Sequence, residues 1–375
     1  MVNISEVKNK VSPISMSSVQ VDDECMQAVL DVLKSGQLAQ GPKVEAFERA
    51  FADYIGTKYA IAVNSGTAAL HVGLLAAGIG RGDEVITTPF SFVATANCCL
   101  FCDATPVFAD IDDKTFNISP NLIEKKITPK TKAIIIVDLY GQPCDMDEIV
   151  AICKKHHLVL VEDACQAHGA EYGRQKVGSF GIGCFSFYPT KNMTTGEGGM
   201  VTTDDEDVAR KARMIRQHGQ RQRYVHELLG YNFRMTDIAA ALGICQLKNL
   251  DAANAKRIRN ARYLSEHISR IEGLTPPYIA SNRKHVFHQY TIKVTESYQL
   301  SRDELQQRLN AKRISAAVYY QTPIHKQPLY KSLGYNDSLP VSDDVAKKVL
   351  SLPVHPNLTE KDLEEIVEVL NGFKK

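Results

Sequence analysis

From about residue 57 to residue 205, short β-rich apolar runs alternate with stretches of helical spacing, and no other feature limits the possible folds so strongly. A strand that returns through a helix pairs in parallel with the strand before it, which places the chain among α/β folds. The expected strands are Tyr59–Val63, Glu84–Thr87, Pro106–Ala109, Lys132–Val137, Leu158–Val161 and Cys184–Phe187, with helical spacing between them, as in Asp145 to His156. Ligands of such sheets bind outside the carboxyl ends of the strands. Residues that immediately follow an apolar run are therefore the ones to inspect for chemistry.

The regions on either side complete the plan. Asp22 to Lys34 and Pro42 to Tyr54 read as amphipathic helices, the second with Pro at its first turn. Thr236 to Leu250 reads as an Ala-rich helix and Asp251 to about Ile271 as a more polar one, after which the composition changes at Gly273-Leu-Thr-Pro-Pro277. The expected division is a large domain over residues 1–250, with a mostly parallel sheet between helices, and a small C-terminal α+β domain over 251–375 that includes the linking helix. A chain of 375 residues has room for both.

The 44 basic residues nearly cancel the 43 acidic ones, so no bulk field draws in nucleic acid or an anionic membrane. The longest apolar runs fall far short of the roughly 20 residues that span a bilayer. Met1 to Lys10 lacks the apolar core of a secretory signal, which points to the cytoplasm. Nine scattered cysteines suit reduced thiols, and Cys98, Cys99 and Cys102 fall within an apolar helix rather than beside a second ligand cluster, so no metal is expected.

Several strand ends carry polar residues of one chemical theme. Lys191 closes the run Ser186-Phe-Tyr-Pro-Thr-Lys191 and is followed by Asn-Met-Thr-Thr-Gly-Glu-Gly-Gly199, a setting in which an amine can attack a carbonyl to form a Schiff base. Ser65, Gly66 and Thr67 lie between the first strand and an apolar helix, where hydroxyls and free N–H groups suit a phosphate or simply cap the helix. Asp163, directly after a buried strand, reads either as an N-cap or as the partner of a protonated pyridine nitrogen. Phe92 can lie flat on a ring, Ser186 can add a hydroxyl to a phosphate site, and Asn232 with Arg234 in Gly230-Tyr-Asn-Phe-Arg-Met-Thr-Asp237 can contact an anion.

As a set, Ser-Gly-Thr-Ala-Ala-Leu at 65–70, Glu-Asp-Ala at 162–164, Ser-Phe-Tyr-Pro-Thr-Lys at 186–191, Gly-Glu-Gly-Gly at 196–199 and Asn-Phe-Arg-Met at 232–235 resemble the DegT/DnrJ/EryC1/StrS family of pyridoxal-phosphate-dependent nucleotide-sugar aminotransferases. The resemblance runs from about Gly36 to His355. It implies the aspartate-aminotransferase-like fold, known as fold type I. It also implies pyridoxal 5'-phosphate as cofactor, with Lys191 as the Schiff-base lysine, Asp163 on the pyridine nitrogen and Gln166 on the ring hydroxyl. Gly66, Thr67 and Ser186 would hold the phosphate, joined by Asn232 of the neighbouring subunit of a homodimer with shared active sites, and Phe92 takes the stacking position. Some relatives carry histidine at the Schiff-base position and dehydrate sugars, so lysine there implies amino transfer.

The implied reaction moves an amino group from glutamate, leaving 2-oxoglutarate, to the ketone of a nucleotide-linked keto sugar. The segment 186–200 looks closest to relatives that aminate C4 of 4-keto-6-deoxy sugars such as the perosamine precursor. Tyr320, Arg234 and His325 are the substrate-side candidates, while His168, His218 and Cys165 suit structural roles. The rival readings are a non-catalytic cofactor-binding or regulatory homologue, and a related enzyme acting on amino acids.

Overall fold

The computed structural model describes residues 13–373; the segment Met1 to Lys10, read above as lacking a secretory signal, lies outside the described residues. The large sheet has seven strands: β1 (Tyr59–Val63), β2 (Glu84–Thr87), β3 (Thr105–Phe108), β4 (Thr131–Val137), β5 (Val159–Asp163), β6 (Ile182–Ser186) and β7 (Gly199–Thr203). Their spatial order is β1-β7-β6-β5-β4-β2-β3. Neighbours from β6 to β3 are parallel and β7 alone runs antiparallel, between β6 and β1. The six expected strands match β1 to β6 within two residues at each end. β7 was not among them, because Met200-Val-Thr-Thr203 is short and directly follows glycines.

Both faces of the sheet are covered, so its strands read as unbroken apolar runs. Helices α1 (Asp23–Ser35) and α2 (Pro42–Ile55) come before the sheet's other helices, and Ile61, Val63, Ala133, Ile135, Val161 and Cys184 face the next two, α3 (Gly66–Ala76) and α4 (Ala94–Phe101). Ala60, Ala62 and Phe185 face the helix Pro42–Ile55, and Ile134, Ile136 and Leu160 face the helix Met146–His156. The period-two alternation of each strand thus divides its side chains between the two helical layers. Cys98, Cys99 and Cys102 are buried in this packing, and all nine cysteines are free.

The helix Pro42–Ile55 begins after Gly41 with no side-chain cap of its own. Its first N–H groups are instead taken by Asp237, whose carboxylate accepts from Gly41 at 2.9 Å, Lys43 at 3.2 Å and Val44 at 2.9 Å. The two helices expected on either side of residue 250 are one helix of 32 residues, Asp237–Ile268. The shift from apolar to polar composition there is not a break, because no Pro interrupts it and every residue across it propagates a helix. Gly243 is tolerated inside it because Phe47 packs there: a Cβ would lie 2.7 Å from that ring.

Past this helix, a second sheet pairs Leu274–Thr275, Tyr290–Val294 and Val349–Leu352, all antiparallel. Leu264, Ile268, Leu305, Ile366 and Leu370 pack with it in a separate core, which also takes in Ile14 near the N-terminus. Among the described residues no helix is long and apolar enough to cross a membrane, and no cluster of His, Cys, Asp and Glu is arranged to hold a metal.

Candidate active site

The carboxyl edge of the large sheet opens into a cleft of about 690 Å³. Ser65, Gly66, Thr67, Phe92, Asp163, Gln166, Ser186, Lys191 and Tyr320 all line it. These residues are contributed by separate segments of the chain, and the strand register is what brings them together. Asp163 is the last residue of β5, opposite Cys184 on β6, and Ser186 ends β6 opposite Gly199 at the start of β7.

At one end of the cleft is the N-terminus of α3. The Ser65 hydroxyl accepts from the Ala68 N–H at 3.1 Å, leaving the N–H groups of Gly66 and Thr67 as first-turn donors without intrahelical acceptors. Gly66 is required there by packing: a Cβ on it would lie 2.5 Å from the Ser186 Cβ, 3.0 Å from its Oγ and 3.2 Å from Cys165 Sγ. The close approach of α3 to the end of β6 gathers the Gly66 and Thr67 N–H groups and the Ser65, Thr67 and Ser186 hydroxyls at one end of the cleft, a cradle suited to a phosphate with the helix dipole behind it.

The floor is polar and tightly tied. Asp163 is only 5% exposed, and it accepts from Thr95 Oγ1 at 2.7 Å and from the Cys165 N–H at 3.3 Å. Thr95 in turn shares a 2.6 Å hydrogen bond with Ser91. Gln166 accepts from the Tyr140 N–H at 2.9 Å through its carbonyl and donates to the Tyr320 hydroxyl at 3.1 Å, which fixes its amide orientation. Phe92 is 58% exposed at the cleft, with its ring free to cover a ligand.

Lys191 sits in the wall on a turn in which its own N–H donates to the Tyr188 carbonyl at 2.9 Å. The following residues hold that turn still. Asn192 donates to Asn254 at 2.8 Å and to the Val286 carbonyl at 3.1 Å, while Thr194 Oγ1 and the Thr195 N–H both donate to the Phe187 carbonyl. Burial pushes the Lys191 ammonium down from its ordinary range, the Asp163 carboxylate opposing only in part, and no carboxylate lies within ion-pair distance among the described residues. A lysine so placed is biased toward the free amine that a nucleophile needs. The Cys165 thiol beside it is pushed well up by burial and by Asp163, which keeps it from being a thiolate.

Three expected residues do not line the cleft. Asn232 is exposed, joined by a backbone bridge to Gln217, and Arg234 is half-buried with its guanidinium unpartnered among the described residues. His325, expected near the substrate, is 2% exposed and packs against Phe108. The physical reason is local: its short turn Ile324–Lys326 is pinned by the Ile324 N–H to the Pro89 carbonyl at 2.7 Å, so the segment reaches the cleft through Tyr319 and Tyr320 instead. His168 is buried against Phe185 and Phe187, and burial pulls it down to about 3, as suits a structural residue.

The cleft also contains Thr95, Tyr188, Glu197, His288 and Gln289, none of which is among the expected site residues, although Tyr188 and Glu197 fall inside the motifs that follow the sixth expected strand. His288 is buried, makes no ring hydrogen bond among the described residues, and is pushed down by burial and by the neighbouring Lys191 charge. Taken together, the phosphate cradle, the carboxylate at the floor, the amide beside it and the depressed lysine fit a phosphorylated pyridine aldehyde.

Comparison with known proteins agrees with this chemistry. The family model of the DegT/DnrJ/EryC1/StrS aminotransferases matches residues 19–371. A pleiotropic regulatory protein of Geobacillus stearothermophilus is 43% identical, over 94% of this chain and 95% of that protein. GDP-perosamine synthase of Caulobacter vibrioides is 40% identical, over 96% of this chain and 97% of that one. The crystal structure of DesV from S. venezuelae superimposes with a TM-score of 0.93 at 35% identity, covering 96% of this chain and 98% of DesV.

Proposed function

The chain belongs to the DegT/DnrJ/EryC1/StrS aminotransferase family, and on that premise we propose that it transfers the amino group of glutamate to the ketone of a nucleotide-linked keto sugar. The observation that carries this reading is the placement of Lys191, with its ammonium depressed by burial, in one cleft with Asp163 and the α3 phosphate cradle. Pyridoxal phosphate, when bound there, supplies the electron sink and the carrier for the amino group. The N–H groups of Gly66 and Thr67, with the hydroxyls of Ser65, Thr67 and Ser186, would hold its phosphate, and Asp163 and Gln166 its ring. Phe92 would cover one face.

Lys191 Nζ, as a free amine, takes a proton from the donor's α-carbon in one half-reaction and delivers one to the sugar carbon in the other. Thr95 keeps the Asp163 carboxylate oriented toward the ring position, and Tyr320 does the same for Gln166. Asn232 and Arg234 are exposed or unpartnered in their own subunit, in keeping with a homodimer in which they reach the neighbouring cleft.

The rival readings fare worse on the same lining. An enzyme working on amino acids in both half-reactions would be expected to line the cleft with a pair of arginines for the substrate carboxylates, and among the described residues this chain brings none to its own cleft, leaving Arg234 of the neighbouring subunit as the single arginine proposed there. A desulfurase needs a reactive thiolate, which the buried Cys165 is not. A purely regulatory protein has no need of a lysine held in a tied turn beside Asp163. We place the reaction in the cytoplasm and, by likeness of residues 186–200 to perosamine-forming relatives, at C4 of a 4-keto-6-deoxy sugar. Glutamate-dependent turnover across GDP-, UDP- and dTDP-linked ketosugars tests it: turnover with one class, first of all the GDP-4-keto-6-deoxy sugar, is expected. Inactivity on all three would overturn the sugar assignment.

A further inference from the structure

A second cavity, of about 600 Å³, lies between the long helix Asp237–Ile268 and residues 18–22. Among the described residues Lys191 alone borders both this cavity and the cleft. Arg257 forms part of its wall and is only 5% exposed. Its Nη1 donates to the Phe287 carbonyl at 3.2 Å, its Nε is buried without a partner, and no carboxylate lies within 4.0 Å of it among the described residues. Burial pulls the guanidinium down to about 10.

The rest of the lining is basic or neutral. Lys256 stands exposed at the rim without an ion pair among the described residues, whereas Asn192, Thr194, Gln246 and Asn249 already donate to Asn254 and Val286, Phe187, Gln20 and Asp22, so the cations are the groups left for an occupant. The one acid, Asp22, is already engaged, accepting from the Cys25 N–H at 2.9 Å and from Asn249 at 3.4 Å. A guanidinium removed from water without a counter-charge is costly to keep, and with Nη1 on Phe287 and Nε enclosed, Nη2 is the donor left to meet an oxyanion.

We propose that this cavity is an oxyanion site, distinct from the cleft, in which Arg257 and Lys256 hold the carboxylate or phosphate group of a small metabolite. Its wall includes Lys191 and Asn192, so an occupant is in contact with the turn that carries the cleft's lysine.

The test is calorimetric titration of the cofactor-loaded protein, so that the cleft's own phosphate cradle is filled, with succinate and with inorganic phosphate at constant ionic strength. Succinate cannot accept an amino group, so its heat reports binding alone. Saturable binding of one probe is expected, and which of the two binds separates a carboxylate metabolite from a phosphorylated one. Arg257→Gln should weaken it at least about tenfold, as loss of a charge-assisted bond does, while Arg257→Lys retains part of it. Lys256→Gln should weaken it roughly threefold. If neither probe binds the wild type saturably, or Arg257→Gln binds unchanged, the site does not exist. Should Arg257→Gln fail to fold by circular dichroism, the charge reversal Lys256→Glu decides, and undiminished binding in that variant overturns the proposal.

Discussion

Replacing Gly66 by Ala probes the cradle with a single methyl group. The added Cβ would lie 2.5 Å from the Ser186 Cβ, and an ordinary contact begins near 3.4 Å, so α3 and the end of β6 must separate by about 0.9 Å. Beyond the cleft, α3 and β6 are locked in the core through Ala69, Leu70, Ile182 and Cys184, and overpacking of this kind costs about 1–3 kcal/mol of stability. The same shift would carry a cradle N–H from the usual range of about 2.9 Å to a bound phosphate oxygen out beyond useful range. Losing one bond to a charged group costs about 1.5–3 kcal/mol, roughly tenfold to a hundredfold in the cofactor's Kd. Urea melts of the cofactor-free protein and fluorescence titration with pyridoxal phosphate measure the two effects separately. The double variant Gly66→Ala with Ser186→Gly removes the offending Cβ and should recover most of the stability while leaving cofactor binding weak, since the Ser186 hydroxyl is gone. A Gly66→Ala protein with stability and Kd within twofold of wild type would refute the close approach and the cradle with it.

Two further expectations follow from the buried groups. Thr95→Val leaves Asp163 without its 2.7 Å donor and should weaken cofactor binding about tenfold with an unchanged circular dichroism spectrum; an unchanged Kd would mean that Asp163 does not face the ring. Burial depresses His71, His168, His285, His288, His325 and His355, so below their ordinary value of 6.5 the unfolded chain takes up protons that the folded one refuses. Stability present above pH 6.5 is therefore lost as pH falls, by up to about 1.4 kcal/mol per pH unit for each histidine. Glu162, raised to about 7 by burial, and Asp138, raised by burial and by Glu162, work in the opposite sense and offset only part of it. Urea midpoints that stay level or rise from pH 6.5 to pH 5 would contradict this.

Lys191, Asp163, Ser186 and Ser65 to Thr67 were legible in the sequence because the end of an apolar run is a local signal and the fold class says which end of the sheet matters. Thr95, His288 and Gln289 were not, since they reach the cleft from the first turns of α4 and from the segment before the second sheet, and only tertiary packing decides which way they face. The Asp237 cap is supplied from 193 to 196 residues away, beyond any local pattern. His325 could not be placed from its motif-like neighbourhood: with the Ile324 N–H held by the Pro89 carbonyl, its segment lines the cleft through Tyr319 and Tyr320 and leaves His325 outside that lining. The helix through residue 250 was divided on composition alone, although composition changes helix propensity too little to end a helix without Pro or a cap.

The central claim is that Lys191 is the residue to which the cofactor is joined. Borohydride reduction of the cofactor-loaded protein, followed by peptide mass spectrometry, tests it most directly. The account expects the reduced adduct on the peptide containing Lys191, and expects Lys191→Ala to lose both the near-visible absorbance band and glutamate-dependent turnover. An adduct on another lysine, or a Lys191→Ala protein that keeps its band and its turnover, would contradict it.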